Sequence, residues 1–366
     1  LRTKIEKLSK HIFGISGYDF NINSPKQLAV LIFDDLKLKE IKKRSTAVEV
    51  LKVLKNHHPI ANLVLEYRHL SKLKNTYLDA FPNYINKNSN RIHTSFNQTT
   101  TVTGRLSSSN PNFQNIPIRT LEGKEIRKAF RSSSNDIKII SADYSQVELR
   151  IMAEFSKEPN LIEAFNNNID IHTRTASLIN NIDEFDVNED QRRTAKVVNF
   201  GIMYGAGPFR MSQELGISIK EAKELIDVYF RTYPKIKEYM ENTISFAREN
   251  GYVKTLFGRR KNTNLGEHLP VQMQKAEERA LINMPIQGTA AELIKVAMIN
   301  IFHKFQNNNL NTKMILQVHD ELLFESHNSE LDMAKKIIIE EMEMAISLSI
   351  PLKVSCKSGD NWYEAH

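Results

Sequence analysis

The feature that most constrains this chain is a pair of apolar, β-prone runs set far apart. DIKIISADYSQVELRIMAEF (136–155) passes from a β-branched run to helical spacing near Asp143. TKMILQVHDELLFES (312–326) is two apolar runs around a His-Asp pair, a pattern that predicts a hairpin with a tight turn. Asp143 ends the first run and Asp320 sits at the hairpin tip, 177 residues away, so only a fold can bring them together. Two carboxylates at neighbouring strand ends make a hard oxygen site suited to Mg²⁺. Two such ions roughly 4 Å apart activate an attacking oxygen and stabilise a leaving one in phosphoryl transfer. An Asp at a turn, taken singly, more often satisfies backbone groups, and the residues alone leave both readings open.

Helical patterns dominate 157–250, and one of them carries an anomaly. In NEDQRRTAKVVNFGIMYGAG (188–207), Asn188 can cap a helix and Gln191 holds the capping-box position. Arg192, Arg193 and Lys196 then fall in the first turns, where the helix dipole favours anions. Arg192, Lys196, Phe200 and Tyr204 recur every fourth residue and form one slowly winding stripe, cationic first and aromatic last. A triphosphate fits the charged end, and a base stacks on the aromatic end for ~1–3 kcal/mol. In an ordinary amphipathic helix Phe200 and Tyr204 are core and Arg192 is a surface ion-pair partner.

The N-terminal region has helical spacing at 45–59 and 61–82, each followed by proline. It holds the charge: residues 1–80 carry fifteen Lys/Arg against eight Asp/Glu, a surplus equal to the whole chain's +7. That is either a solvated lysine face or an arm for a polyanion. The Thr- and Ser-rich segment 95–119 suggests strands and turns, and NKNSN (86–90) a hinge. The single Cys356 excludes an internal disulfide and a Cys-rich zinc site, and points to a reducing compartment. No apolar run reaches membrane-spanning length and no signal peptide is visible. The chain begins on Leu within a helical pattern, the expectation for an excised fragment.

Co-occurrence decides between these readings. DYSQVELR (143–150), RRTAKVVNFGIMYG (192–205) and VHDE (318–321) resemble, in order and spacing, the three signature motifs of family A DNA polymerases. TGRLSSSNPNFQNIPIR (103–119), ERALINMPIQGTAAELIK (278–295) and the ending GDNWYEAH are also similar to that family. The likeness spans nearly the whole chain and is closest to the C-terminal polymerase part of the family's bacterial members. Departures are small: Val147 and Phe113 stand where Ile and Leu are usual, and 261–275 is less typical.

The resemblance implies an α+β right-hand architecture with an antiparallel palm sheet and helical fingers and thumb: thumb 1–90, palm 91–155 and 275–366, fingers 156–274. It implies a template-directed DNA polymerase that extends a primer 3′-hydroxyl with deoxynucleoside triphosphates. Asp143, Asp320 and the main-chain carbonyl of Tyr144 would hold two Mg²⁺, with Mn²⁺ as a substitute, and Glu321 would support the site. Arg192, Lys196 and His172 would hold the triphosphate, Lys196 also protonating the pyrophosphate. Phe200, Tyr204 and Gln146 would line the nucleotide site, with Glu148 and Tyr204 blocking a sugar 2′-hydroxyl. Phe rather than Tyr at position 200 implies discrimination against dideoxynucleotides.

Arg105, Arg279, Asn283 and Gln287 match family positions on primer–template, and Gln317 and His319 would touch the primer terminus. Asn283 and Gln287 are four apart, so they share a helix face and can probe the minor groove without reading sequence. The expected partners are primer–template DNA and deoxynucleoside triphosphates, with no membrane, a monomeric state and a cytoplasmic, nucleoid-associated place in a bacterium. Two rival readings remain at this level. A single-subunit RNA polymerase shares the two aspartates and the Lys/Tyr helix, but Glu148 opposes it. A non-catalytic DNA-binding module would leave the triphosphate cluster without a use.

Overall fold

The structure is a computed structural model that describes residues 1–117, 120–263, 265 and 269–366. The last two residues of the 103–119 motif and four positions of the 261–275 segment lie outside the described residues. Contacts divide the chain into two units, 1–95 with 110–127, and 96–109 with 128–366.

The first unit is helical: α1 (Arg2–Ser16), α2 (Pro25–Ala29), α3 (Val48–Leu54), α4 (Pro59–Leu73) and α5 (Leu121–Arg127), with a small hairpin of β1 (Ile85–Asn86) and β2 (Arg91–Ile92). Pro25 and Pro59 stand at the first turns of α2 and α4, where the missing N–H costs nothing. The unit has its own core, in which Ile12, Leu31, Leu51, Ile60 and Val64 are wholly buried. At about 1.5–3 kcal/mol per buried aliphatic side chain, these contacts hold the short helices together. The segment 110–127 joins this unit through aromatic packing: Phe113 lies 5.4 Å from Phe81, which lies 5.5 Å from Tyr77. Within 91–155, contacts assign 91–95 and 110–127 to the first unit and 96–109 and 128–155 to the second. NKNSN is the turn of the β1–β2 hairpin, and the unit boundary falls later, at 95/96.

The second unit opens within β3 (Ser95–Asn97), whose first residue is counted with the first unit, and goes on to β4 (Ser107–Ser109), the strands and turns expected of the polar segment. It continues through β5 (Ile137–Tyr144), α6 (Val147–Ser156), α7 (Pro159–Asn166), α8 (Ile171–Asn180), α9 (Glu189–Met203), α10 (Pro208–Leu215), α11 (Ile219–Thr232) and α12 (Pro234–Asn250). A short hairpin, β6 (Tyr252–Lys254) and β7 (Arg260–Asn262), leads to the 37-residue α13 (Val271–Asn307). Then follow β8 (Lys313–Val318), β9 (Glu321–His327), α14 (Leu331–Glu343), β10 (Val354–Gly359) and α15 (Trp362–Ala365).

Four strands form one antiparallel sheet in the order β10-β5-β9-β8. Helices cover both faces of its middle. Trp362 of α15 bonds Glu321 on one side, and the Tyr144 hydroxyl bonds the Met342 carbonyl of α14 on the other. That is why β5 and β9 read as near-continuous apolar runs rather than alternating ones. A single core runs from this sheet into the helices, with Ile140, Phe324, Val198, Tyr233 and Leu293 all buried. No helix among the described residues is long and apolar enough to cross a membrane.

Candidate nucleotidyl-transfer site

The sheet brings the two distant aspartates to the same end of its two central strands. Asp143 pairs in register with Glu321, and the N–H of Tyr144 donates to the Asp320 carbonyl at 3.2 Å. The end of β5 therefore abuts the β8–β9 turn, whose sharp reversal is made by His319 in the left-handed region at φ 54°. Asp143 and Asp320 are both half-buried. Loss of solvent pushes the Asp320 carboxyl up, and the Arg105 charge opposes that shift. Among the described residues no group of three or more His, Cys, Asp or Glu side chains forms a metal-holding cluster. Two carboxylates with the Tyr144 carbonyl are nonetheless a hard oxygen set, and a desolvated Asp320 is a group a divalent cation would stabilise. The residues present fit Mg²⁺.

Glu321 is placed differently. It is 4% exposed, and its Oε1 accepts from Ser141 Oγ at 2.6 Å, Trp362 Nε1 at 2.9 Å and His366 Nδ1 at 3.2 Å. These bonds tie it into the sheet's packed face and suit a supporting role.

The stripe on α9 is present, and its helix starts as the sequence predicts. Asn188 Oδ1 accepts from the Gln191 N–H at 2.9 Å, and Gln191 Oε1 accepts from the Asn188 N–H at 3.0 Å. The misplaced cations have partners that sequence reading did not supply. Arg193 bonds Asp190 at 2.9 Å, and Arg192 makes a two-toothed pair with Asp170 at 2.9 and 3.1 Å. Burial pushes the Asp170 carboxyl up, but hydrogen bonds from Arg192 and Thr173 outweigh it and hold it at about 2. Arg192 is thus an ion-pair partner in the free protein, and an anionic ligand must compete with Asp170 for it. Among the described residues Lys196 has no carboxylate partner, and it is exposed.

His172, expected beside the triphosphate, is a buried and uncharged ring. It is 2% exposed, and Asn199 Nδ2 donates to its Nδ1 at 3.1 Å. Burial, with Lys196 and Arg192 nearby, brings its pKa down to about 4 although Asp170 pulls the other way. At neutral pH it is an uncharged ring with its proton on Nε2, so it can offer one N–H and no charge.

The aromatic end of the stripe reaches the carboxylates. Phe200 lies 5.7 Å from the His172 ring and 6.4 Å from Tyr204, nearly parallel to it. The Tyr204 hydroxyl donates to Glu148, whose other oxygen accepts from Arg105. Glu148 is 5% exposed. Burial pushes its carboxyl up and so does the Asp320 charge, while Arg105 and Tyr204 favour the anion. Burial and the Glu148 charge also push the Tyr204 phenol well up, so it stays a donor. Asp320, Arg105, Glu148 and Tyr204 form one electrostatic group.

The remaining expected residues divide by exposure. Asn283 and Gln287 are the half-exposed positions in an α13 stretch that is otherwise buried from Leu281 to Ala291, so they share the one open face. The Asn283 amide reaches the Tyr204 carbonyl at 3.5 Å. Arg279 is exposed and lays its stem on Gly205, where a Cβ would meet it at 2.7 Å. Gln146 precedes α6 in the left-handed region at φ 55° and is half-buried. Gln317 is 5% exposed and donates to the His319 carbonyl, while His319 itself is exposed. Sequence reasoning missed Asp170, Asn199 and Arg150. Arg150 is 7% exposed, lies 4.4 Å over the Phe165 ring and donates to the Ser145 and Pro351 carbonyls, fixing the β5–α6 corner.

The chain is similar to known proteins over its whole length. Residues 1–364 match the model of the family described as DNA polymerase family A. The chain is 48% identical to DNA polymerase I of Caldicellulosiruptor bescii, over all of this chain and 43% of that protein. It is 44% identical to DNA polymerase I of Bacillus subtilis, over all of this chain and 42% of that protein. Both matches fall on the relatives' C-terminal polymerase part, and the chain spans less than half of their length. Among solved structures, the POL domain of Pol1 from M. smegmatis, in complex with DNA primer-template and dNTP, superposes with a TM-score of 0.95 at 38% identity. That match covers all of this chain and 65% of the other.

Proposed function

This chain belongs to DNA polymerase family A, and from that premise we propose that it is a template-directed DNA polymerase. It extends a primer 3′-hydroxyl with deoxynucleoside triphosphates and releases pyrophosphate. The observation that carries the reading is the continuity of the site. The stripe on α9 ends in Tyr204, Tyr204 bonds Glu148, and Glu148 shares its surroundings with Arg105 and Asp320. A nucleotide lying on that stripe has its phosphates at the cationic end and its sugar at Glu148. The M. smegmatis POL domain, of the same fold, was solved with primer-template and dNTP. In the family's right-hand scheme, 1–90 is the thumb, 91–155 and 275–366 the palm, and 156–274 the fingers.

Asp143, Asp320 and the Tyr144 carbonyl would hold two divalent ions, Mg²⁺ or its substitute Mn²⁺. A bound pair supplies a lowered pKa for the attacking hydroxyl and neutralises charge building on the leaving pyrophosphate. Lys196 holds the triphosphate and delivers a proton to the pyrophosphate. Arg192 exchanges Asp170 for phosphate oxygens, and His172 adds a neutral N–H donor. Phe200, Tyr204 and Gln146 line the base and sugar. Glu148, bonded to Arg105 and Tyr204, fills the space that a 2′-hydroxyl would need. Arg105, Arg279, Asn283, Gln287, Gln317 and His319 hold the primer–template, and Glu321 braces the metal site through Ser141 and Trp362. The protein acts as a monomer in the bacterial cytoplasm, on the nucleoid.

Replacing Asp143 with Ala tests the assignment. Primer extension falls by at least about 10³-fold, while primer–template affinity changes by less than about threefold. Substantial extension by Asp143→Ala defeats the reading. Comparing dNTP with NTP incorporation separates it from an RNA polymerase, which Glu148 already opposes.

A further inference from the structure

Arg105 does not stand on a helix or strand. It follows a turn in which the Gly104 N–H meets the Thr101 carbonyl at 3.3 Å, and Thr101 Oγ1 donates to the Arg105 carbonyl at 2.6 Å. Gly104 sits at φ +78°, in the left-handed region. A free turn of this kind moves, yet its last residue must deliver a guanidinium to the buried Glu148.

Helix α13 supplies the missing restraint. Lys295 Nζ donates to the Gly104 carbonyl at 2.6 Å. One turn earlier Glu292, whose side chain is 14% exposed, takes Arg259 Nε at 3.1 Å on one oxygen and Thr255 Oγ1 at 2.6 Å on the other. The Arg259 guanidinium then covers Gly104 so closely that a Cβ there would lie 2.6 Å from Nε. Thr289 Oγ1 accepts the Leu256 N–H at 3.1 Å and holds the same 255–259 loop. The three pieces meet at Gly288, where a Cβ would lie 2.5 Å from Thr255 and 3.3 Å from the Thr103 carbonyl. Residues 288, 289, 292 and 295 thus grip both loops from one helix face.

We infer that Lys295 and Glu292 are positioning residues for sugar selection: by fixing the Gly104 turn they hold Arg105 on Glu148. The inference rests on the polymerase reading. Without the bond to Lys295 the turn loosens and the Arg105–Glu148 contact is lost part of the time. Glu148 then shifts, and its block against a 2′-hydroxyl weakens. Arg105 also holds the primer–template, so a looser turn slows insertion of both nucleotides alike, and the weakened block adds a gain for the ribonucleotide alone, which the deoxy-over-ribo ratio reads.

The test measures kcat/KM for a dNTP and its NTP with Mg²⁺ on one primer–template. Lys295→Met lowers the deoxy-over-ribo ratio about tenfold, chiefly through a gain with the NTP, and Lys295→Arg, which can still donate to the carbonyl, stays within about threefold of the parent. Glu292→Gln lowers the ratio about threefold and stands in where Lys295→Met does not fold by thermal unfolding. Glu148→Ala is run alongside. A collapsed ratio in Glu148→Ala with unchanged ratios in Lys295→Met and Glu292→Gln overturns the positioning role and leaves the polymerase reading intact. An unchanged ratio in Glu148→Ala as well overturns the sugar-site assignment itself. Equal losses for dNTP and NTP reduce Lys295 to a stability residue and also overturn the inference.

Discussion

His172 sits under α9 as a buried neutral ring, and that fixes how it responds to acid. Its ordinary pKa is 6.5 and its folded value about 4, so between those pH values the unfolded chain binds a proton that the folded chain refuses. Unfolding is therefore favoured as pH falls. The contribution is complete above about pH 6.5, is lost progressively down to about pH 4, and amounts to as much as about 3 kcal/mol. Asp170, held at about 2, titrates below this window and does not blur it. His172→Gln keeps an acceptor for Asn199 and removes the titration, so its urea midpoint should change less than the parent's between pH 7 and 4.5. Equal slopes would refute the buried-neutral assignment. His172 was legible in sequence only as a residue that resembles a family position. Its neutrality was not, because that depends on Asn199, Phe200 and Asp170 closing around it from two helices. Arg192 shows the same limit: its place on a helix follows from spacing, whereas its partner lies 22 residues away on another element.

Among elements, α9 is the one most completely written in its own sequence. The capping pair, the fourfold stripe and the exit at Gly205, φ +69°, are local signals. The four-stranded sheet is the opposite case. β5, β8 and β9 are readable as strands, but nothing local says that β5 pairs with both β9 and β10, or that Asp143 meets Glu321. The local completeness of α9 gives it a separable stability. The cap lies at an exposed end, and its two bonds satisfy groups the helix leaves open. Asn188→Ala should cost about 1 kcal/mol there, which speeds amide exchange across 189–196 about fivefold. Strands β5 and β9 should keep their protection, since they open only with the whole unit. Uniform acceleration in both places would show that α9 has no local stability of its own.

At the scale of the whole molecule, charge and contacts give the same division. The entire +7 resides in residues 1–80, inside the first unit, while the rest of the chain balances its charges. The surplus is not consumed by the fold. Arg44 pairs with Asp34 and Lys74 with Asp79, but Lys39, Lys42 and Lys43 are exposed and have no carboxylate partner among the described residues. In the second unit many exposed cations are already paired, as Lys220 is with Glu224 and Lys237 with Glu241. Lysines left unpaired on one unit, in a chain of the DNA polymerase family, fit a surface that tracks phosphates. Each phosphate contact releases counterions, so duplex affinity should fall steeply with salt, by a log–log slope of about 0.9 per contact. Replacing Lys39, Lys42 and Lys43 with Gln should flatten that slope by as much as about 0.9 per lysine. Replacing Lys220 and Lys237 should leave it unchanged, since their charge is already spent on neighbouring glutamates. Parallel salt plots for the parent and the triple variant would mean that these lysines meet only water, and the basic surplus of the first unit would need another use.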